Sequence, residues 1–220
     1  MIGRRTPARL GARIAGFAIL AWTLAGCASG AAPAEVERIA AALGLEPGMT
    51  VADVGAGDGD FAAALARLVG EDGRVIATEV EEDKVRELGE LAQEEGLANL
   101  TAVLGNQEET GLEAGCCDAV LLRLVYHHLE DPAPMRADLR AALRPGGRIV
   151  VIDIEPQEGW RVLPGVPDRG GHGIPPEQLL DEMTGDGFEL LARFDDWKDD
   201  DERFCMVFLR RQVDGDRPPS

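Results

Sequence analysis

The sequence predicts an α/β protein with a Rossmann-like, doubly wound and mostly parallel seven-stranded sheet that ends in an antiparallel hairpin. Three observations predict this fold. Short apolar runs rich in Val and Ile alternate with stretches of helical periodicity through residues 50–154. Most of these runs are too continuously apolar for a sheet with one face in water. The last two strands are close enough in sequence to form a hairpin, so one of them must run antiparallel to the rest.

The individual elements follow from this pattern in chain order. A helix over 34–43 has acidic residues in its first turn and Gly44 as its stop. Predicted strands cover 50–54, 74–78, 100–104, 119–125 and 148–154, with predicted helices over 60–68, 82–95 and 134–143 between them. A Gly- and Pro-rich loop over 157–175 precedes a last helix over 176–183. The closing strands, 188–195 and 203–209, are joined by an acidic turn.

Composition and charge narrow the classes of function. The 220-residue chain carries 40 acidic against 22 basic residues, a net charge of −18, and 45% of its residues are hydrophobic. One globular domain with a substantial core fits this size and composition. Nucleic acid is a poor partner, because binding a phosphate backbone relies on clustered Lys and Arg, and the chain has only Lys84 and Lys198 plus scattered Arg.

The N-terminal segment differs in charge from the rest of the chain. Residues 1–26 hold four Arg and no acid, which leaves 18 basic against 40 acidic residues, net −22, in the remainder. An apolar run over 14–26 is too short to span a membrane but has the length of a signal-peptide core. It ends in Leu24-Ala25-Gly26-Cys27, which resembles the lipobox of bacterial lipoproteins.

That resemblance implies a signal peptide at 1–26, a lipid on Cys27 and a tether at 27–33. The folded domain is then expected at 34–212 and a disordered tail at 213–220. The implied location is the cell envelope, with the protein lipid-anchored to a bacterial membrane through Cys27. The alternative is an uncleaved N-terminus, or a cytoplasmic protein whose translation starts downstream.

A Gly-rich loop follows the first predicted strand. Residues 51–61 read VADVGAGDGDF and place Gly55, Gly57 and Gly59 where the backbone turns from strand to helix. A dinucleotide-binding G-x-G-x-x-G fingerprint read from Gly55 would need glycine at position 60, where Asp60 stands. The pattern is instead D-x-G-x-G-x-G from Asp53. A carboxylate at that place would repel a pyrophosphate and attract an ammonium group.

This pattern resembles the first motif of class I S-adenosylmethionine-dependent methyltransferases. The second feature of that family is an acid that ends strand two, and Glu79 holds the corresponding place. The resemblance implies S-adenosylmethionine as cofactor, with the loop backbone around Ala56 and Gly57 packed against its methionyl and ribose parts. It also implies that Asp53 serves the amino end and that Glu79 accepts both ribose hydroxyls.

Further segments extend the resemblance over about residues 34–210. Asn106 follows strand three, where the family usually has an acid or amide that accepts a hydrogen bond from the adenine amino group. Residues 117–129 resemble the fourth strand and the following segment of the small-molecule branch, with Arg123 among the implied cofactor contacts. Residues 143–148 resemble the turn into strand five. The implied partner is a small-molecule methyl acceptor that the sequence does not identify.

Histidine is the expected base if the acceptor is protonated. Methyl transfer is an in-line displacement on a sulfonium, so the enzyme contributes mainly proximity and orientation. His127 and His128, after strand four, and His172, in the loop over 157–175, are the candidate catalytic residues. The structural alternatives are a histidine that caps a helix or packs behind the cofactor, and an exposed histidine in a loop.

Three functions stay open at this point. The first is a methyltransferase that uses S-adenosylmethionine, a compound made in the cytosol, so an exported domain would need a supply of it. The second is a non-catalytic S-adenosylmethionine-binding lipoprotein of the envelope, and the third a nicotinamide-dependent oxidoreductase. No Cys or His spacing indicates a metal site. Cys116, Cys117 and Cys205 are expected to be free buried thiols, the alternative being a disulfide between Cys205 and one of the other two.

Overall fold

The computed structural model of the protein describes residues 30–157, 166–197 and 202–211. These ranges contain helices α1 Pro33–Leu43, α2 Asp60–Val69, α3 Glu82–Glu94, α4 Pro132–Ala142 and α5 Pro176–Gly185. They contain strands β1 Thr50–Val54, β2 Arg74–Glu79, β3 Leu100–Leu104, β4 Cys117–Arg123, β5 Leu143–Ile154, β6 Phe188–Phe194 and β7 Arg203–Arg210. A single 3-10 turn, Tyr126–His128, follows β4.

The strands form one sheet in the order β3-β2-β1-β4-β5-β7-β6. The first five strands in chain order pair in parallel, whereas β7 runs antiparallel to both β5 and β6. The predicted fold class, with its C-terminal antiparallel hairpin, is confirmed. The strand order reverses between β1 and β4, and in open α/β sheets such a reversal leaves a crevice outside the carboxyl ends of the two strands.

Helices cover both faces of the sheet, which explains why its central strands are apolar on both sides. Helices α1, α2 and α3 pack on one face around a core that includes Ile39, Leu65 and Leu88. Helices α4 and α5 pack on the other face, where they contribute Leu139 and Met183. With both faces covered, the carboxyl edge of the sheet is where a ligand can approach the strand ends.

Two helix boundaries show which local chemistry sets them. Gly44 ends α1 in the left-handed conformation, with φ at 63°, as its predicted role as a stop requires. Helix α4 begins at Pro132, two residues before the predicted start. There the side chain of Asp131 accepts a 3.2 Å hydrogen bond from the N–H of Ala133 and caps the helix.

Strand β4 ends at Arg123, two residues before the predicted end. The next residue, Leu124, has φ at 59°. A residue with a side chain adopts this left-handed conformation only at a cost of about 1–3 kcal/mol, and the surrounding structure must impose it. The conformation interrupts the extended backbone, and the chain enters the 3-10 turn that carries His127 and His128.

Several predictions concern residues outside the described ranges: the signal peptide at 1–26, the lipidation of Cys27, the tail at 213–220, and parts of the tether, the loop over 157–175 and the acidic turn. In the part of the chain that is described, no helix combines the length and apolarity needed to cross a membrane. The three cysteines in this part are free thiols; Cys117 and Cys205 are buried, and Cys116 is half-buried.

Candidate active site

A cavity of about 440 Å³ opens at the crevice between β1 and β4. Gly55 and Glu79 line it on the side of the Gly-rich loop, and His128 and Leu129 line it on the side of the segment after β4. Its volume is in the range that holds a small-molecule ligand. A wider groove of about 710 Å³ lies at the amino edge, near Arg74. Because ligands of open α/β sheets bind at the carboxyl edge, the cavity is the candidate site.

The Gly-rich loop borders the cavity at Gly55, and Gly57 and Gly59 lie outside the described lining. Gly55, Gly57 and Gly59 have φ values of 69°, 58° and 83°, which glycine adopts without a steric penalty. A Cβ on Gly55 would lie 2.5 Å from Cγ2 of Val125, so the loop meets the segment after β4 at a place without room for a side chain. The N–H groups of Gly55 and Ala56 donate to the end of β2 at 2.9 and 3.1 Å. These bonds fix the loop against the sheet.

Glu79 lines the cavity at the end of β2. Its Oε1 accepts a 2.7 Å hydrogen bond from the N–H of Gly57, and its Oε2 accepts one of 3.1 Å from the N–H of Val80. Each carboxylate oxygen has two lone pairs, so both can accept a further bond from a ribose hydroxyl. Glu79 is therefore free to make the predicted contact with the ribose. It also connects the Gly-rich loop to β2.

Asp53 lies buried at the end of β1 and is not among the described residues that line the cavity. Its Oδ2 has no hydrogen-bond partner within the described residues. Burial raises the pKa of Asp53 to about 7; the Arg123 guanidinium lowers this pKa and the Glu79 carboxylate raises it. A buried carboxylate with an unused acceptor oxygen is chemically suited to an ammonium group. Asp53 therefore fits the amino end of S-adenosylmethionine.

Arg123 is predicted to contact the cofactor. Like Asp53, however, it is not among the described residues that line the cavity. Its Nε donates a 2.9 Å hydrogen bond to Glu35 at the start of α1, and its guanidinium lies 4.4 Å from the ring centre of Phe61. Its influence on the site comes through charge. By lowering the pKa of Asp53, Arg123 favours the carboxylate form that an ammonium group requires.

Asn106 lines the cavity, but its side-chain oxygen is already used. It accepts hydrogen bonds from the N–H groups of Glu108 and Glu109, both at 2.8 Å, in a turn after β3. These bonds occupy both lone pairs of the oxygen. The geometry therefore does not support the predicted acceptance of a hydrogen bond from the adenine amino group.

The three predicted histidines lie together. His127 Nε2 is 3.1 Å from His172 Nε2, and the ring centres of His127 and His128 are 4.0 Å apart. Burial, assisted by the neighbouring histidines, lowers the pKa of His128 to about 4 and also lowers the pKa of His172. His128 is therefore neutral at pH 7, and the lowered pKa of His172 favours its neutral form. A ring with so low a pKa is a weak general base at neutral pH.

Asp153 is a site residue that the sequence analysis missed. It is fully buried in β5, and its carboxylate accepts hydrogen bonds from Nδ1 of His127 at 2.5 Å and from the N–H of the same residue at 3.1 Å. Because a carboxylate only accepts, Nδ1 carries the proton, and in the neutral ring the lone pair is then on Nε2. The available signal was an acid in the apolar run over 149–154, since fully buried acids are rare unless paired.

The segment that carries His172 passes unusually close to the chain after β5. Gly171 and Gly173 have φ values of 136° and 137°. A Cβ on either would lie 2.4 Å from the carbonyl oxygen of Gln157 or 2.7 Å from that of Glu155. Only glycine permits this approach. The N–H of Gln157 donates to the carbonyl of His172 at 3.2 Å, which fixes the histidine between the two glycines.

The turn after β4 is held on two sides. The Tyr126 hydroxyl donates to Glu182 on α5 at 2.5 Å, and Arg136 on α4 donates to the same carboxylate at 2.9 Å. Arg169 donates to the carbonyl of His127 at 3.1 Å, which ties the loop of His172 to the turn. These contacts give the histidines a defined place at the cavity. Sequence reasoning missed them because the partners are distant in the chain.

Residues 45–191 match a family model described as a methyltransferase domain. An uncharacterised 37.1 kDa protein in transposon TN4556 of Streptomyces fradiae is 34% identical over 110 residues, which cover 50% of this chain and 31% of that protein. The ubiquinone/menaquinone biosynthesis C-methyltransferase UbiE of Haemophilus ducreyi is 30% identical over 117 residues, covering 50% of this chain and 43% of that enzyme. The matched region thus spans less than half the length of either relative.

Solved structures share the fold. A SAM-dependent methyltransferase from Aquifex aeolicus superposes with a TM-score of 0.67 at 24% identity, covering 80% of this chain and 89% of that one. The geranyl diphosphate C-methyltransferase of Streptomyces coelicolor, solved with Mg²⁺, geranyl diphosphate and S-adenosyl-L-homocysteine, gives a TM-score of 0.64 at 15% identity, with 80% of each chain covered. At such identities the likeness establishes the fold.

The family model covers more than half of the chain and agrees with the Gly-rich loop, the acid that ends β2 and the strand order. The predicted methyltransferase class and its cofactor, S-adenosylmethionine, are thereby confirmed at the level of the family, and the nicotinamide-dependent alternative finds no support. The chain belongs to the methyltransferase-domain family and has the fold of the S-adenosylmethionine-dependent enzymes.

Proposed function

We propose that the protein transfers the methyl group of S-adenosylmethionine to a small acceptor bound beside His128. One observation carries this proposal: a single cavity is bounded by Gly55 and Glu79 on one side and by His128, with the apolar Leu129 and Met135, on the other. A donor held at the Gly-rich loop and an acceptor held at His128 would therefore share one enclosure. Such proximity is the main contribution an enzyme makes to an in-line displacement.

Different residues of the chain can bind different parts of S-adenosylmethionine. S-adenosylmethionine, when bound, supplies an electrophilic methyl group on a sulfonium. Glu79 can accept hydrogen bonds from its ribose, and the Asp53 carboxylate can offset the charge of its ammonium group. The backbone of Gly57 can approach closely, because nothing lies within 4 Å of the place where its Cβ would be.

His128 lies on the acceptor side of the cavity. His128 is the ring that reaches the cavity, and its pKa of about 4 makes it neutral but weakly basic at pH 7. We therefore assign it to holding and orienting the acceptor rather than to removing a proton. The apolar neighbours Leu129 and Met135 favour an acceptor that is small and at least partly apolar.

Calorimetric titration of the full chain with S-adenosylmethionine tests the first half of this proposal. Micromolar binding is expected, and absence of both heat and thermal shift up to millimolar cofactor would contradict it. Transfer of an isotopically labelled methyl group to a panel of small alcohols, amines, thiols and enols, followed by mass spectrometry, tests the second half. His128→Asn should keep cofactor binding and lose transfer. Binding without transfer to any acceptor supports the non-catalytic alternative.

We also propose that residues 1–26 act as a signal peptide and that Cys27 carries the lipid that holds the domain at the cell envelope. The support is the basic stretch, the apolar run and the lipobox-like motif at Cys27. Mass spectrometry of the native N-terminus tests this proposed location. A lipidated Cys27 is expected as the first residue. An unmodified peptide from upstream of Cys27 contradicts it and favours the cytoplasmic alternative.

A further inference from the structure

The histidines of the chain are gathered at one place. The 220-residue sequence contains three, His127, His128 and His172, and one ring nitrogen of each lies within 4.8 Å of the others. Two come from the turn after β4 and the third from the loop before α5, 45 residues further along the chain. The described protein therefore brings imidazoles from separate elements to a common centre beside the cavity.

The hydrogen bonding around His127 prepares that ring as a ligand. Asp153 holds the proton on Nδ1, so the lone pair of Nε2 is presented to His172 Nε2 at 3.1 Å. A carboxylate that accepts from the far nitrogen of a histidine is the usual support for a metal-binding imidazole, because it fixes the tautomer and the ring orientation. Asp153 is in turn fixed by the N–H groups of His127 and Ile154.

The spacing of the nitrogen atoms is close to that of a coordinated ion. Three histidines on a tetrahedral zinc ion, with Zn–N bonds of about 2.0–2.1 Å, have nitrogen atoms about 3.3–3.4 Å apart. The pair formed by His127 and His172, at 3.1 Å, is only about 0.2–0.3 Å closer than this spacing. The nitrogen atoms that lie farthest apart, within 4.8 Å, would have to approach each other by about 1.5 Å to bind one ion. A rotation of the His128 or His172 ring can supply a movement of this size.

We propose that His127, His128 and His172 form a binding site for a divalent transition-metal ion of the zinc type, with Asp153 as the positioning residue. Imidazole nitrogens suit this class of ion, whereas Mg²⁺ and Ca²⁺ prefer oxygen ligands. Because His128 lines the cavity, an ion held by the three histidines would lie beside it and could keep one coordination position for a ligand there. Any effect of the ion on substrate choice rests on the proposed methyl transfer. If that transfer holds, an acceptor with a hydroxyl or enol oxygen would bind the ion at that position and be preferred as substrate.

Titration of the tag-free full chain with metal alone tests the site. After removal of bound ions with chelator, Co²⁺ should bind at one equivalent and give the visible absorption of a tetrahedral nitrogen site, and Zn²⁺ should displace it. His172→Ala and His127→Ala should each weaken Zn²⁺ binding at least tenfold. Asp153→Asn, with unfolding monitored in parallel, should weaken it about 10- to 100-fold.

The cysteines provide the matched control. The double variant Cys116→Ser with Cys117→Ser should bind Co²⁺ as the unmodified chain does, without a sulfur-to-cobalt charge-transfer band in either. Should a histidine variant fail to fold, the NMR signals of the intact protein give a second measurement. Its three histidine rings all belong to the cluster, so one equivalent of Zn²⁺ should shift the signals of all three.

The outcomes separate this proposal from the methyltransferase proposal. No binding of Zn²⁺ or Co²⁺ at millimolar concentration, or binding unaffected by His172→Ala, overturns the metal site even if S-adenosylmethionine binds normally. Metal binding by a chain that does not bind S-adenosylmethionine leaves the metal site standing and overturns the proposed function. A requirement for the cysteines would also overturn the three-histidine assignment.

Discussion

The backbone N–H of Gly57 donates a 2.7 Å hydrogen bond to Oε1 of Glu79. This bond joins two motifs, 22 residues apart, that sequence analysis treats as separate contacts with one cofactor. In the structure, the acid that ends β2 also braces the loop that must pack against the same ligand. Its loss should therefore affect both parts of the cofactor site.

Glu79→Ala is expected to weaken S-adenosylmethionine binding by about 1–3 kcal/mol, because the ribose hydroxyls lose a charged acceptor and the loop loses its brace. Glu79→Gln should have an intermediate effect, since one carbonyl oxygen remains. Calorimetric titration gives the affinities. Glu82→Gln, an exposed change in the first turn of α3, is the matched control and should leave the affinity unchanged. Equal affinities for all variants would refute the assignment.

Asp53→Asn is expected to stabilise the protein at alkaline pH while weakening cofactor binding. Burial raises the pKa of Asp53 from 3.8 to about 7, so between these values the folded protein keeps a proton that the unfolded chain has lost. The native carboxylate therefore costs stability progressively as the pH rises above about 4, and fully above about 7. With about 1.4 kcal/mol per pKa unit, the gain at pH 8 is at most about 4 kcal/mol.

Urea unfolding at pH 8 and pH 5.5 measures this effect. The stabilisation by Asp53→Asn should be larger at pH 8, because at pH 5.5 the native residue is still mostly protonated in the folded state. A gain that is the same at both pH values would mean that ionisation of Asp53 is not its source. Calorimetry on the same variant should show weaker cofactor binding, since an amide cannot offset the ammonium charge.

Glu35→Gln should destabilise the fold by about 1–3 kcal/mol, because it leaves the guanidinium of Arg123 partly buried without its charged partner. The side chains of Glu35 and Arg123 are only 10% and 22% exposed. The exposed pair of Asp83 and Arg86, at 77% and 61%, supplies the control. Asp83→Asn should change the free energy of unfolding by less than about 0.5 kcal/mol. Similar losses in both variants would show that burial does not strengthen the first pair.

Gly173→Ala should cost more than about 1 kcal/mol of stability and move His172, because the new Cβ would lie 2.7 Å from a backbone oxygen at a φ of 137°. Gly89→Ala in α3 is the control, since its Cβ meets nothing within 4 Å. In a helix this change should stabilise the protein by up to about 1 kcal/mol. Thermal unfolding compares the two variants, and a neutral Gly173→Ala would show that the segment tolerates a side chain.

Sequence alone predicts most of this fold because a parallel sheet buried on both faces leaves apolar runs of strand length. Strand β1 is predicted at 50–54 and observed at Thr50–Val54. The end of β4 is missed because the left-handed Leu124 that ends it is imposed by tertiary structure, not by local preference.

The candidate site divides in the same way. Gly55, Gly57, Gly59 and Glu79 belong to local motifs at strand ends, and strand order brings the two motifs together, with Gly55 and Glu79 at the cavity. Asp153 and Glu35 are missed because their partners, His127 and Arg123, lie 26 and 88 residues away, and only the completed sheet brings them into contact. Asn106 matches the motif position, but its side-chain oxygen accepts hydrogen bonds within its own turn and is not available to the adenine amino group.

The ion pair between Glu35 and Arg123 has one more consequence, because it fixes where the chain enters the domain. Arg123 ends β4 at the carboxyl edge of the sheet, the edge at which the cavity opens, so α1 starts beside that opening. Six residues lead from Cys27 to Pro33, and such a segment reaches at most about 20 Å. If Cys27 carries the proposed lipid, the start of α1, and with it the edge at which the cavity opens, would stay within about 20 Å of the bilayer.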